Sequence, residues 1–283
     1  LRGALLPTFE SLLSKMTLLT EVTEYADIMP MLSILYNDVG TILYRTSRFT
    51  EAKNKHNLAL EIQRKTTTTD TIEIAITKRF IAECCFFLMD LEVSLQYYTE
   101  SLKILVDFSN KTGGNNNLKL EIASVKNGLC IVYDSLGSPL DALDKGLHAV
   151  ALREELLPNS AELATSYNNL ANVLAQIGDI SGALDYFHRA VAIWQNSVNL
   201  HGNLPNGLSN IGYLYFVIRE TNAVLPYYTK ALKMARAIHS NEHVDVARIL
   251  TCMGDYYFHT SDITEASKCY HEALLINTKY YPP

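Results

Sequence analysis

Small and apolar residues recur along this chain in columns. The clearest stretch, Tyr167 to Ile193, reads YNNLANVLAQIGDISGALDYFHRAVAI. It predicts two helices broken at Gly178-Asp179. Ala171 marks the first helix, and Ala183 and Ala190 mark the second. The Ala183 position recurs as Ala52, Ser94, Ala142, Ala183, Val224 and Ala266, at spacings of 42, 48, 41, 41 and 42. The Ala190 position recurs as Ala59, Ser101, Ala149, Ala190, Ala231 and Ala273. The Ala171 position recurs as Gly40, Ala82, Cys130, Ala171, Gly212 and Gly254. Three columns in one register define a repeat, and with it the fold.

Larger residues flank the small ones. Val39, Ile81, Leu129, Leu170, Ile211 and Met253 precede the first-helix column, and the second helix carries His56, Tyr98, Gly146, Phe187, Tyr228 and Tyr270. Two antiparallel helices approach closely only where side chains are small, and large residues three or four positions away fill the space beside the contact. The columns therefore predict an all-α chain of about six antiparallel hairpins. Their expected bounds are approximately 31–66, 72–110, 119–157, 160–200, 204–241 and 243–281. Residues 1–30 lie outside the columns. Within them Thr8 to Tyr25 reads as one helix, with Phe9, Leu12, Leu13, Met16, Leu19 and Val22 near one face, a cap or a partial repeat. The 48-residue spacing contains Asn110 to Asn117, rich in Gly and Asn, which predicts a flexible loop between repeats two and three around Gly113 and Gly114. Thr66 to Thr69 reads as another linker, and Pro282-Pro283 ends the last helix.

Composition agrees with helices. Hydrophobic residues make up 48% and charged residues 19% of 283, with only eight prolines and thirteen glycines. A net charge of −6 without a basic run argues against nucleic acid and anionic membrane as partners. No apolar run is long enough to span a bilayer, and no signal peptide is visible. Five cysteines, two of them adjacent and none in C-x-x-C spacing, argue for a reducing compartment and a cytoplasmic location. The first residue is Leu1 rather than Met, so the chain is expected to be a piece of a longer protein.

The columns resemble the tetratricopeptide repeat, whose helix A carries a large residue, Leu, Gly/Ala and Tyr, and whose helix B carries Ala, an aromatic and Ala. The resemblance covers about Leu32 to Tyr281. The longer period and the signature Asn168-Asn169-Leu170-Ala171 are similar to kinesin light chain repeats and to the sensor arrays of signalling ATPases. The resemblance implies a right-handed α-solenoid whose helices A line a groove that grips an extended peptide or partner segment. The implied function is a non-catalytic interaction scaffold or adaptor. The alternative is a sensor or autoinhibitory domain of a larger signalling ATPase or transcriptional regulator.

Carried onto this register, the groove positions are Asn37, Tyr44, Arg79, Phe86, Asn127, Asp134, Asn168, Asn172, Ser209, Tyr213, Phe216, Arg248, Asp255 and Phe258. Asparagine amides both donate and accept, so Asn37, Asn127 and Asn168 form a ladder matched to peptide bonds. Tyr44, Phe86, Phe216 and Phe258 offer apolar anchors. Arg79 and Arg248 are nearly cancelled by Glu83, Asp134 and Asp255, so a carboxylate clamp is not expected. The chain carries no phosphate-binding, nucleophile-elbow or H-E-x-x-H motif. No cofactor, metal or catalytic residue is expected. His239 and His243 are four apart but flank an inter-repeat turn, and read as surface histidines.

Overall fold

The structure is a computed structural model and describes residues 6–22, 28–197 and 201–280. Among these residues there are thirteen helices and no strand. Helix α1 spans Leu6–Val22. Six hairpins follow: α2 Ile28–Arg45 with α3 Phe49–Thr66, α4 Ile72–Phe87 with α5 Leu91–Thr112, and α6 Asn116–Ser135 with α7 Pro139–Leu156. The others are α8 Ala161–Gln176 with α9 Ile180–Gln195, α10 Leu204–Val217 with α11 Thr221–Ile238, and α12 Val244–His259 with α13 Ile263–Tyr280. The chain divides into two compact units, Leu1–Leu152 and Arg153–Pro283. Among the described residues no helix is long and apolar enough to cross a membrane.

All three small-residue columns are buried. Ala52, Ser94, Ala142, Ala183 and Val224 are fully buried, and Ala266 nearly so. Ala59, Ser101, Ala149, Ala190 and Ala231 are fully buried, with Ala273 close behind. In α5 serine replaces alanine twice, and each hydroxyl finds a carbonyl on the facing helix. Ser94 Oγ donates to Ala82 O at 2.8 Å and Ser101 Oγ to Ala75 O at 2.7 Å. A buried hydroxyl is tolerated when it is paired.

The glycines of the first-helix column seat a ring of the same hairpin. A Cβ on Gly40 would lie 2.5 Å from the His56 ring, one on Gly212 2.9 Å from Tyr228, and one on Gly254 2.6 Å from Tyr270. In α5 the ring serves the next hairpin instead: a Cβ on Gly128 of α6 would lie 2.2 Å from Tyr98.

Helix α1 packs on α2, burying Leu6 and Leu13 with Leu32, Leu35, Val39 and Leu43. Leu12, expected on the same face, is 48% exposed. Tyr25, Pro282 and Pro283, and the side chains of Phe9, Met16, Leu19 and Val22, lie outside what is described. The loop expected from Asn110 to Asn117 is corrected. Helix α5 runs on to Thr112, Gly113 and Gly114 take positive φ, and α6 begins at Asn116 behind an Asn115 cap that accepts from Leu118 N at 2.8 Å. The extra residues lengthen α5 and α6 to 22 and 20 residues and leave a three-residue turn.

Candidate partner-binding face

The expected positions fall on the helices that open each hairpin. Four of these helices are capped by a side chain at the N-terminal end. Thr71, Asn115 and Ser160 cap α4, α6 and α8, their side chains accepting from Ile74, Leu118 and Leu163 N–H groups. His243 Nδ1 does the same for α12, accepting from Asp245 N at 3.2 Å.

In the unit Leu1–Leu152 the expected residues are largely engaged within the protein. Asn37 Nδ2 donates to Thr77 Oγ1 on α4 at 2.7 Å, and its Oδ1 accepts from His56 Nδ1 on α3 at 2.9 Å. The first bond joins neighbouring hairpins and the second closes the hairpin of α2 and α3. Burial and the charge of Arg79 push the His56 pKa down to about 4, so the ring is neutral. Arg79 pairs with Glu83 and with Glu121 of α6 at 3.2 Å, and lies over Phe80. Tyr44 packs edge-on against Phe49 and Phe87, each 5.6 Å away, and Phe86 packs on Phe87. Asn127 is half-buried. Asp134 is half-buried with Oδ1 unpartnered, and burial raises its pKa.

The unit Arg153–Pro283 is more open. Asn172 is exposed, and its Oδ1 accepts from Asn210 Nδ2 across adjacent hairpins at 3.4 Å. Asn168 keeps a buried Oδ1 without a partner. Tyr213 is 53% and Phe258 59% exposed. Phe216 lies 5.1 Å from the His259 ring. Arg248 donates to Asn206 of α10, and Asp255 accepts from Tyr270 Oη at 2.6 Å. Ser209 does not reach the face. It is 1% exposed, tucked against Cys252 of α12 where the two helices meet. The helix-A register places it on the face, but a small side chain is drawn into the contact between α10 and α12.

A cavity of about 300 Å³ opens on this unit, its wall including Asn172, Gln176, Phe187, Asn210, Tyr213 and Val217. Gln176 and Val217 were not among the expected positions. Each lies one turn beyond an expected one, Asn172 and Tyr213, so extending the register by four residues would have found them.

His239 and His243 lie in the turn between α11 and α12, and the structure brings them together with Asp245. Their rings stack at 4.0 Å with 10° between planes, and each lies within 3.5 Å of Asp245 Oδ2. Imidazole lone pairs lie in the ring plane, so the two stacked rings direct theirs in nearly parallel planes rather than converging on one ion.

Residues 31–105 and 121–196 match the family model described as Tetratricopeptide repeat. No curated protein sequence matches the chain. Among solved structures it is similar to BtubC (BKLC) from P. vanneervenii, with TM-score 0.66 and 18% identity over 84% of this chain and 92% of that one. It is similar to the nearly identical TPR-like repeats of a Podosopora anserina kinesin light chain, with TM-score 0.59 and 12% identity over 76% of this chain and 100% of that one. It is also similar to the Rap conjugation gene regulator of the plasmid pLS20 in complex with the Phr* peptide. That likeness has TM-score 0.63 and 14% identity over 91% of this chain and 77% of that one.

Proposed function

The chain belongs to the tetratricopeptide repeat family, and from that premise we propose that it is a non-catalytic scaffold holding an extended partner segment on the face formed by α8, α10 and α12. The observation that carries this reading is the cavity beside Asn172, Asn210 and Tyr213. Tyr213 lines it, and Tyr213 and, on α12, Phe258 offer apolar surface that the hairpins do not cover. Aromatic anchors in a pocket contribute most of the energy of such contacts. The Asn172 and Asn210 amides meet each other at a long 3.4 Å, and an incoming peptide bond gives each a better-placed partner. Asn168, Phe216, Arg248 and Asp255 extend the face. Likeness to a regulator whose structure holds a peptide supports the same use of the fold.

The cysteines support a role without covalent chemistry. Burial pushes the Cys84 and Cys130 thiols up to about 12 and raises those of Cys85, Cys252 and Cys269. A nucleophilic thiol needs the opposite shift.

The test is a pull-down with the chain followed by titration of the captured segment. Asn172→Ala with Tyr213→Ala is expected to weaken binding by about tenfold or more while helicity by circular dichroism is retained. Unchanged affinity for a genuine partner would remove this face from the mechanism.

A further inference from the structure

A second cavity, of about 380 Å³, opens in the unit Leu1–Leu152 between α2, the end of α3 and the start of α4. That volume lies at the lower end of the range of ligand sites. Pro30, Ile34, Ile76 and Phe80 give it apolar walls.

Most of its polar groups are already engaged. Asn37 is bonded on both arms. Ser33 Oγ donates to Pro30 O, the Thr66 and Thr67 hydroxyls donate to Gln63 O, and Thr71 Oγ1 caps α4. Three groups are left. Gln63 is 8% exposed, and its Oε1 has no hydrogen-bond partner. A buried acceptor in that state is stabilised by any donor brought to it. Asp38 and Glu73 are the carboxylates of the lining, and no lysine, arginine or histidine lies among the lining residues. The Asp38 pKa is raised by burial alone, as for a carboxylate that lacks a nearby cation.

The geometry points to a pocket for a basic side chain of a partner segment. Its methylene stem lies against Ile34 and Ile76, and its ammonium or guanidinium head is met by Gln63 Oε1, Asp38 and Glu73. A long basic side chain combines the two surfaces the cavity offers, an apolar stem and a charged head. The assignment rests on the reading that the chain holds protein segments, but not on the face of α8, α10 and α12.

The test titrates blocked tripeptides, acetyl-Ala-X-Ala-amide with X as Arg, Lys, Leu or Glu, into the full chain labelled at isoleucine methyls. The Arg and Lys peptides are expected to shift the Ile34 and Ile76 signals saturably, and the Leu and Glu peptides to leave them in place. Gln63→Leu with Glu73→Gln is expected to weaken the Arg peptide about tenfold, as loss of hydrogen bonds to a charged group does. Ile34→Trp, a change at a 59% exposed position that folding tolerates, fills the cavity and abolishes the shift at Ile76. Equal binding of the Leu peptide, binding that survives Ile34→Trp, or no saturable shift overturns the assignment. Tyr213→Ala leaves the Arg peptide unaffected. Failure of the tripeptide and failure of the Asn172, Tyr213 variant on partner binding therefore read out separately.

Discussion

A single methyl group decides whether α2 and α3 can meet. A Cβ at Gly40 would stand 2.5 Å from the buried His56 ring, which has nowhere to go. Gly40→Ala is expected to destabilise by about 1–3 kcal/mol in urea unfolding, the range for overpacking a filled core. His56 adds a pH dependence. Its pKa is lowered from 6.5 to about 4 in the fold, so between those values the unfolded chain binds a proton that the folded chain does not. The stability from this site is complete above pH 6.5 and is lost as pH falls towards 4, on the order of 3 kcal/mol in all. Unfolding measured from pH 7 to pH 4 should show that loss, and His56→Gln should remove that part of the slope.

At the scale of the element, each hairpin turns through one left-handed residue. Ser47, Met89, Gly137, Gly178, Arg219 and Ser261 all have positive φ. The next residue in each case donates its N–H back into the end of the opening helix, as Asp90 N does to Cys85 O and Asp179 N to Leu174 O, both at 2.9 Å. This is the helix-ending arrangement that glycine usually serves, yet only two of these six residues are glycine. That is why Gly178-Asp179 announced its break in the sequence and the turns at Met89 and Arg219 did not. Met89 is 75% exposed and pays for its side chain with a strained backbone. Met89→Gly is expected to raise stability by about 1 kcal/mol, and a lower unfolding midpoint would contradict the turn geometry. Pro226, inside α11, removes one helical hydrogen bond. Pro226→Ala should therefore stabilise that helix by up to about 3 kcal/mol.

At the scale of the whole chain, stability of stacked hairpins is close to a sum of local and nearest-neighbour contributions. Gly40 and Gly254 lie in different units and press on different rings, His56 and Tyr270. The effects of Gly40→Ala and Gly254→Ala should add to within about 0.5 kcal/mol in the double variant. A larger deviation would show that the hairpins respond cooperatively beyond their neighbours. The two units also differ in what their helix-A faces leave open. The side chains of Asn37 and Arg79 are bonded within their own hairpins and to the next one, whereas Asn172, Tyr213 and Phe258 remain accessible.

The repeat class, the hairpin register and the buried identity of every small-residue column followed from the sequence alone. Close helix contact constrains residue size locally, and a period of about 41 residues writes that constraint six times. Which asparagines face outward did not follow from it. A helix register assigns a side chain to a face, but only the neighbouring hairpin determines whether its donors and acceptors are already taken. The His239, His243 and Asp245 cluster and the Gln63 cavity depend on the same thing, because their members come from different elements whose relative placement the packing of the hairpins decides.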